Sequence, residues 1–314
     1  MDTLYLVVPC YNEEEALPQS SKQMLEKLEA LISKGAVSPE SRILLVNDGS
    51  KDKTWEVISS LFQSSELFEG LKLSRNRGHQ NALLAGLTYA KDRCDMAISL
   101  DADLQDDINA IDQFVEKYYE GCDIVYGVRS SRATDTAFKR NSAGAFYKLM
   151  TAFGVDIVEN HADYRLMSRR AIEGLLSFGE VNLFLRGIAP QIGYKSGIVY
   201  YERFERVAGE SKYPLKKMLA FAFDGITSFS VKPIKLITTL GVLFSVLSGI
   251  ALITLLILSI FYFIPSLATI ASLIFLALGI QLAAIGIVGE YIGKIYLEVK
   301  RRPRFIIEEY LSRK

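Results

Sequence analysis

The sequence predicts an α/β protein, a mostly parallel sheet domain of Rossmann-like type followed by a two-helix transmembrane hairpin. Three observations carry this reading. Short apolar runs alternate with amphipathic stretches through the first 200 residues. Polar residues gather at the ends of those runs. Residues 236–289 then contain no Asp, Glu, Lys or Arg over 54 positions.

The elements follow in order. LYLVVP (4–9) reads as a buried strand, and a helix is expected from about Glu13 to Ser33. RILLVND (42–48) is a second strand, with a helix around 53–62. GLKLS (70–74) is a third, followed by a helix from about Gly78 to Lys91. DMAISL (95–100) and CDIVYGVR (122–129) are the fourth and fifth, separated by a helix. Near-continuous apolar strands between helices indicate a parallel sheet covered on both faces. Beyond residue 130 the alternation weakens: a helix is expected around 136–153, then ADYRLMSRRAI, NLFLRGI and a strand in SGIVYYERFERV. Residues 214–230 place lysines beside an apolar and aromatic face, as in a helix lying at a membrane surface.

The uncharged run suits two spans, 236–264 and 266–289, turning at Pro265-Ser266 after the aromatic FYF. At ~1.5 Å per residue these give about 43 and 36 Å of helix, each longer than the ~30 Å hydrocarbon core. Gly and Ser within both spans allow close helix contact. Lys212, Lys216, Lys217, Lys232 and Lys235 precede the hairpin; Lys294, Lys300, Arg301, Arg302 and Arg304 follow it. An even number of spans puts both flanks on one side, and the positive-inside rule makes that side cytoplasmic. MDTLYLVVP lacks a basic leader and a cleavage site, so no signal peptide is expected. Cys10, Cys94 and Cys122 show no paired spacing and fit a reducing compartment. With 36 basic and 36 acidic residues, net charge points to no nucleic-acid partner.

In open parallel sheets ligands bind at the carboxyl ends of the strands. Four polar clusters fall there: Pro9-Cys10-Tyr11-Asn12-Glu13, Asn47-Asp48-Gly49-Ser50, Ser74-Arg75-Asn76-Arg77 and Asp101-Ala102-Asp103. SLDADLQDD (99–107) holds four carboxylates that repel unless a cation lies between them. Two carboxylates one residue apart at a strand end can converge on a divalent ion. Oxygen-only ligation selects Mg2+ or Mn2+, with substrate phosphates completing the shell. Asp101 and Asp103 are the expected ligands, with Gln105 near the shell. Asp106 and Asp107 are expected to start the next helix and complement its dipole. Asp48 can accept hydrogen bonds from a base or ribose, and free N–H groups at Gly78 can face a phosphate. His79 is open between a helix-start residue and a site group. Neither GxGxxG nor GxxxxGK[ST] occurs.

CYNEEEAL, VNDGSKDKT, SRNRGHQNALLAGL, SLDADLQDD, ADYRLMSRRA and RVAGESKYPL, in this order and ahead of a two-span hairpin, resemble glycosyltransferase family 2. More narrowly they are similar to the polyprenyl-phosphate glycosyltransferases, which include bactoprenol glucosyltransferases and dolichol-phosphate mannose synthases. The QxxRW motif of the processive synthases is missing, and the only Trp is Trp55. The resemblance implies a GT-A-type sheet, a divalent metal, and inverting transfer of one sugar from a nucleotide sugar to a membrane lipid phosphate. UDP-glucose and undecaprenyl phosphate are the first choices. UDP-N-acetylglucosamine, UDP-galactose, a UDP-aminoarabinose derivative and GDP-mannose stay open as donors. On matching positions it implies nucleotide-sugar contacts from Pro9, Tyr11, Asn12, Glu13, Asp48, Gly78, Gln80, Asp101, Ala102 and Asp103. Metal binding falls to Asp101, Asp103 and Gln105, and phosphate contacts to Arg129, Arg140, Arg206, Ser211 and Lys212. Asp163 and Arg165 are expected near the acceptor or sugar, where Tyr164 replaces the usual Phe.

The resulting organisation is a cytoplasmic GT-A domain (1–213), an amphipathic juxtamembrane segment (214–232), a transmembrane hairpin (233–292) and a basic cytoplasmic tail (293–314). The expected location is the cell membrane, multi-pass, with both termini cytoplasmic and the chain a homo-oligomer. A membrane nucleotide-sugar sensor and a flippase are the rival classes. The intact carboxylates speak against the first, and the uncharged spans against the second.

Overall fold

The computed structural model describes residues 1–130, 161–180, 185–202, 232–237, single positions between 239 and 254, and 267–313. The helix expected at 136–153 and the amphipathic segment at 214–230 lie outside them. The chain divides into two compact units, a sheet unit and a second unit of residues 214–301 with a short segment at 148–155.

The sheet unit is a mixed α/β fold. Its strands are β1 (Leu4–Cys10), β2 (Arg42–Asn47), β3 (Phe68–Leu73), β4 (Met96–Ser99), β5 (Ile124–Arg129), β6 (His161–Ser168), β7 (Ser196–Tyr201) and β8 (Ile307–Leu311). They run in the order β7-β5-β6-β4-β1-β2-β3-β8. β1 pairs in parallel with β2 and β4, β2 with β3, and β5 with β7. The apolar runs that read as strands are the parallel ones, and β1 is buried along its whole length, as a doubly covered strand must be.

Two strands run the other way. β6 lies antiparallel between β4 and β5. It comes from ADYRLMS, where Asp163 and Arg165 interrupt the apolar pattern and hide the strand. β8 pairs antiparallel with β3 at the sheet edge. The region expected to be a basic tail, 293–314, is therefore helical to Lys300 and a strand at Ile307–Leu311. Trp55 Nε1 donates to Glu309 at 3.1 Å, Lys72 pairs with Glu308 at 3.1 Å, and Tyr310 stacks on Tyr89.

Helices α1 (Leu17–Ser33), α2 (Thr54–Ser64), α3 (His79–Ala90) and α4 (Ala110–Tyr119) connect the parallel strands, and α5 (Arg169–Ser177) and α6 (Leu185–Gln191) follow β6. α1 carries Pro18 in its first turn and buries Leu17, Met24, Leu28 and Leu31 on one face. α3 lies close on the sheet at Gly86, where a Cβ would stand 2.4 Å from Val7 and 2.9 Å from Val46. α4 begins at Ala110, so Asp106 and Asp107 precede the helix instead of starting it, and Asp112 is the acidic residue of its first turn.

In the second unit, α7 (Leu267–Lys300) begins where the second span was expected and runs 11 residues past residue 289. Among the described residues one helical stretch, Ile280–Lys300, is long and apolar enough to cross a membrane, with a mean hydropathy of 1.3. Residues 232–237 are helical, and the first expected span, 236–264, falls largely outside the described residues. The structure thus describes one membrane-length helix, and the expected hairpin stays an expectation.

Candidate active site

The carboxyl ends of β1, β2 and β4 open on a cavity of about 340 Å³ lined by Pro9, Cys10, Tyr11, Glu13, Asp48, Asn76, Gly78, His79, Asp101, Ala102 and Asp103. Nine of these stand in the polar clusters that the sequence placed on one rim. Parallel pairing aligns those ends, and the chain leaves each strand with a polar turn.

The turns are stitched to one another. Asn12 sits at a φ of 56°, in the left-handed region that Asn tolerates. Its amide donates to Ser50 Oγ at 3.0 Å and its Oδ1 accepts from the Lys51 amide at 2.9 Å. Glu13 N donates to Thr54 Oγ1 at 2.9 Å. Asn12 thus binds the β1 turn to the β2 turn and is absent from the cavity lining, whereas Pro9, Tyr11 and Glu13 face the cavity.

Asp48 directly follows β2 and is almost fully buried. Its two oxygens accept from the amides of Arg77 at 2.7 Å and Gly78 at 2.8 Å. The N–H of Gly78, expected to face a phosphate, is therefore taken by Asp48, because a buried carboxylate needs donors and the loop amides are the nearest. Burial raises the Asp48 carboxyl above its ordinary value, partly offset by the two amides. Gln80 points elsewhere: its Oε1 accepts from Leu185 N at 2.8 Å, fastening α3 to α6.

Asp101 and Asp103 both face the cavity. His79 Nε2 lies 3.1 Å from Asp101 Oδ1, so His79, left open by the sequence, belongs to the site. Burial lowers its affinity for a proton, but the Asp101 partner and the nearby Asp163 raise it further, and its pKa ends above the usual value. Gln105 is 6% exposed and is not a lining residue. Among the described residues no three His, Cys, Asp or Glu side chains close on one point. The donor set is two carboxylates facing open space, which fits a hard divalent cation whose other ligands come from substrate and water.

Beside this pair stands a second charge cluster. β6 runs antiparallel, so its first residues lie at the rim where β4 ends. Asp163 Oδ1 accepts from Arg165 Nη2 at 2.8 Å, and Asp163 Oδ2 from Arg186 Nη2 at 3.1 Å. Ser99 Oγ donates to the Asp163 carbonyl. Arg165 is 2% exposed, and its Nη1 donates to the Leu185 carbonyl at 3.2 Å. Burial pushes the Asp163 carboxyl up, but Arg186 and Arg165, with His79, outweigh it and hold it well below the carboxylate range. Arg186 escaped the sequence reading, and its only signal was a lone cation in the apolar run NLFLRGI.

Arg129 is half-buried with Nε 3.9 Å from the buried Asp106, so part of its charge is answered within the protein. Arg140, Arg206, Ser211 and Lys212 lie outside the described residues. Tyr164 packs edge-on against Phe114 and Tyr201, and its hydroxyl donates to the Asp107 carbonyl at 3.1 Å. That bond gives the hydroxyl, unexpected at this position, a partner. Cys10, Cys94 and Cys122 are buried free thiols.

Residues 5–176 match the model of the family described as glycosyl transferase family 2. The chain is 53% identical to the "Uncharacterized glycosyltransferase YkoT" of Bacillus subtilis (strain 168), over 97% of this chain and 91% of that protein. It is 41% identical to the "SfII prophage-derived bactoprenol glucosyl transferase" of Shigella flexneri, over 97% of each chain. It is 42% identical to the "Prophage bactoprenol glucosyl transferase homolog" of Escherichia coli (strain K12), over 96% of this chain and 97% of that protein.

Proposed function

The chain belongs to glycosyl transferase family 2 and is a glycosyltransferase, and from that premise we propose that it moves a single sugar from a nucleotide sugar to a polyprenyl phosphate at the cytoplasmic membrane face. Relatives of near full length named bactoprenol glucosyl transferase support the lipid acceptor, undecaprenyl phosphate first, and a glucosyl donor, UDP-glucose first. The observation that carries the reading is the pair Asp101 and Asp103 beside Asp48 on one cavity, at the rim of a sheet that also brings Asp163 to the edge of β4.

The chemistry follows from charge. An acceptor phosphate oxygen attacks the anomeric carbon, the bond to the donor diphosphate breaks, and the nucleoside diphosphate leaves with inversion. A phosphate monoester already carries about −1.5 to −2 charges near neutral pH, so it needs no strong base. Asp163, held ionised by two guanidinium groups, is a poor proton acceptor. Its task is to orient Arg186 and to place negative charge near the sugar as positive charge develops there. Asp48, with Tyr11 and Pro9, receives the nucleoside end. A divalent cation held by Asp101 and Asp103 would stabilise the charge on the leaving diphosphate. Membrane association, with a hairpin at 233–292, both termini cytoplasmic and assembly into a homo-oligomer, completes the reading, because a lipid phosphate stays at the bilayer surface.

The test is transfer of labelled sugar from a donor panel into organic-extractable lipid by the purified full chain with undecaprenyl phosphate. UDP-glucose is expected to label the lipid phase, and preference for another sugar of the panel would rename the donor. Absence of transfer from every donor would sink the proposal.

A further inference from the structure

The loop after β3 carries a side chain whose orientation the backbone settles. Asn76 is exposed and lines the cavity. Its Oδ1 accepts from the Gly78 N–H at 3.0 Å, and the same N–H donates to Asp48 Oδ2 at 2.8 Å. A backbone N–H faces an acceptor, so the carboxamide atom beside Gly78 is the oxygen and the other is the NH2 group. One nitrogen thus gathers two side chains of opposite character. Asp48 brings carboxylate oxygens, each with a lone pair left after the amides of Arg77 and Gly78 are bound. Asn76 brings two N–H donors that bond no acceptor among the described residues. The loop is also pinned from outside. Ser74 N donates to the Ile306 carbonyl at 3.0 Å, and Gly49 lies so close to the backbone of Arg75 and Asn76 that a Cβ would stand 2.4 Å from it. Asp48 follows β2, two strands across the sheet from β4, which leads into Asp101 and Asp103. At ~4.8 Å between strands, the pair lies about 10 Å from those carboxylates. A diphosphate held there leaves its ribose and base to fill that distance.

Resting on the transfer reading, we propose that Asn76 is a specificity-determining residue that reads the nucleobase of the donor, giving an N–H to a ring carbonyl while Asp48 accepts from the neighbouring ring N–H. The chemistry selected is a base edge with a carbonyl beside a ring N–H. Two bases share it, uracil at O4 and N3–H and guanine at O6 and N1–H. Cytosine and adenine set an amino group against the Asn76 donors and a bare ring nitrogen against Asp48. Donor would meet donor and acceptor would meet acceptor, and a site built to bond one edge rejects its complement strongly.

The experiment measures equilibrium binding of UDP, GDP, CDP and ADP, each with Mn2+, to the full chain as wild type, Asn76→Ala and Asn76→Asp. Melting curves and lipid transfer are taken alongside. Wild type is expected to bind UDP or GDP about tenfold or more tightly than CDP and ADP. Preference for UDP assigns uracil, and preference for GDP assigns guanine. Asn76→Ala should weaken the preferred diphosphate by about tenfold while CDP and ADP stay within about twofold, so the ratio between them collapses. A residue that only shapes the loop would weaken all four alike and leave the ratio standing. That result, or a wild type that does not discriminate among the four, would overturn the inference. Should Asn76→Ala fail to fold, Asn76→Asp decides by the same ratio. It keeps an acceptor for Gly78 and loses the donors, and its added charge weakens every diphosphate alike. Base-selective binding that collapses in the variants without any transfer to lipid would refute the transfer reading and uphold the role of Asn76.

Discussion

Asp163 lies between two guanidinium groups, and that placement settles its charge. Its folded pKa is depressed, so the stability it contributes is fully present above the unfolded value of about 3.9 and is lost as pH falls below it. The contribution of Asp163 to the melting temperature should therefore hold above about pH 4 and be lost below it, and Asp163→Asn should flatten part of the acid-side drop. Activity tells the same story. Asp163→Asn is expected to lower turnover by about tenfold or more while the shape of the pH–rate profile stays that of wild type. Loss of one limb of the profile would mean a base role instead. Gly49 makes a second residue-scale prediction. It sits at a φ of +63°, and a Cβ there would stand 2.4 Å from the backbone of Arg75 and Asn76. Gly49→Ala should push that loop outward and loosen the amides of Arg77 and Gly78 from Asp48. The expected cost is about 1–3 kcal/mol in a denaturant titration, with weaker nucleotide binding.

Among the elements, the edge strand β8 makes the clearest demand. It covers the edge of β3 and brings Glu308, Glu309 and Tyr310 against Lys72, Trp55 and Tyr89. Removing residues 305–314 would expose unpaired N–H and C=O groups along β3. The truncated protein should melt several degrees lower, at about 4 °C per kcal/mol lost or less for a chain of this size, and should aggregate on concentration. Unchanged melting would show the strand to be dispensable. β8 was not legible in the sequence because its pairing is with a residue stretch more than 200 positions away, and IEEYL between basic residues reads as solvated tail. β6 was hidden for a different reason. Its charged residues Asp163 and Arg165 neutralise each other inside the fold, which no periodicity reveals. The parallel strands β1 to β5 were legible because each is buried on both faces and therefore nearly uniform in composition. The same holds for the rim: acidic and polar turns at strand ends can be read directly, whereas Arg186 enters the site only once α6 is brought to β6.

At the scale of the molecule, the uncharged run and its basic flanks give the membrane reading, and α7 gives the part of it that the structure describes. The full chain should remain with the membrane after an alkaline carbonate wash, and reporters at residues 1 and 314 should label from the same, cytoplasmic side. Reporters on opposite sides would leave an odd number of spans and remove the hairpin. The central claim is that the acidic rim directs a sugar onto a lipid phosphate. The most direct measurement is mass analysis of the lipid phase after incubating the purified chain with UDP-glucose and undecaprenyl phosphate, with Mg2+ or Mn2+, then with EDTA, and again with Asp101→Asn. The account predicts undecaprenyl phosphate carrying one hexose, lost on chelation and reduced by about a hundredfold or more in the variant. Free hexose in the water phase, or a lipid product formed equally well with EDTA and with Asp101→Asn, would contradict it.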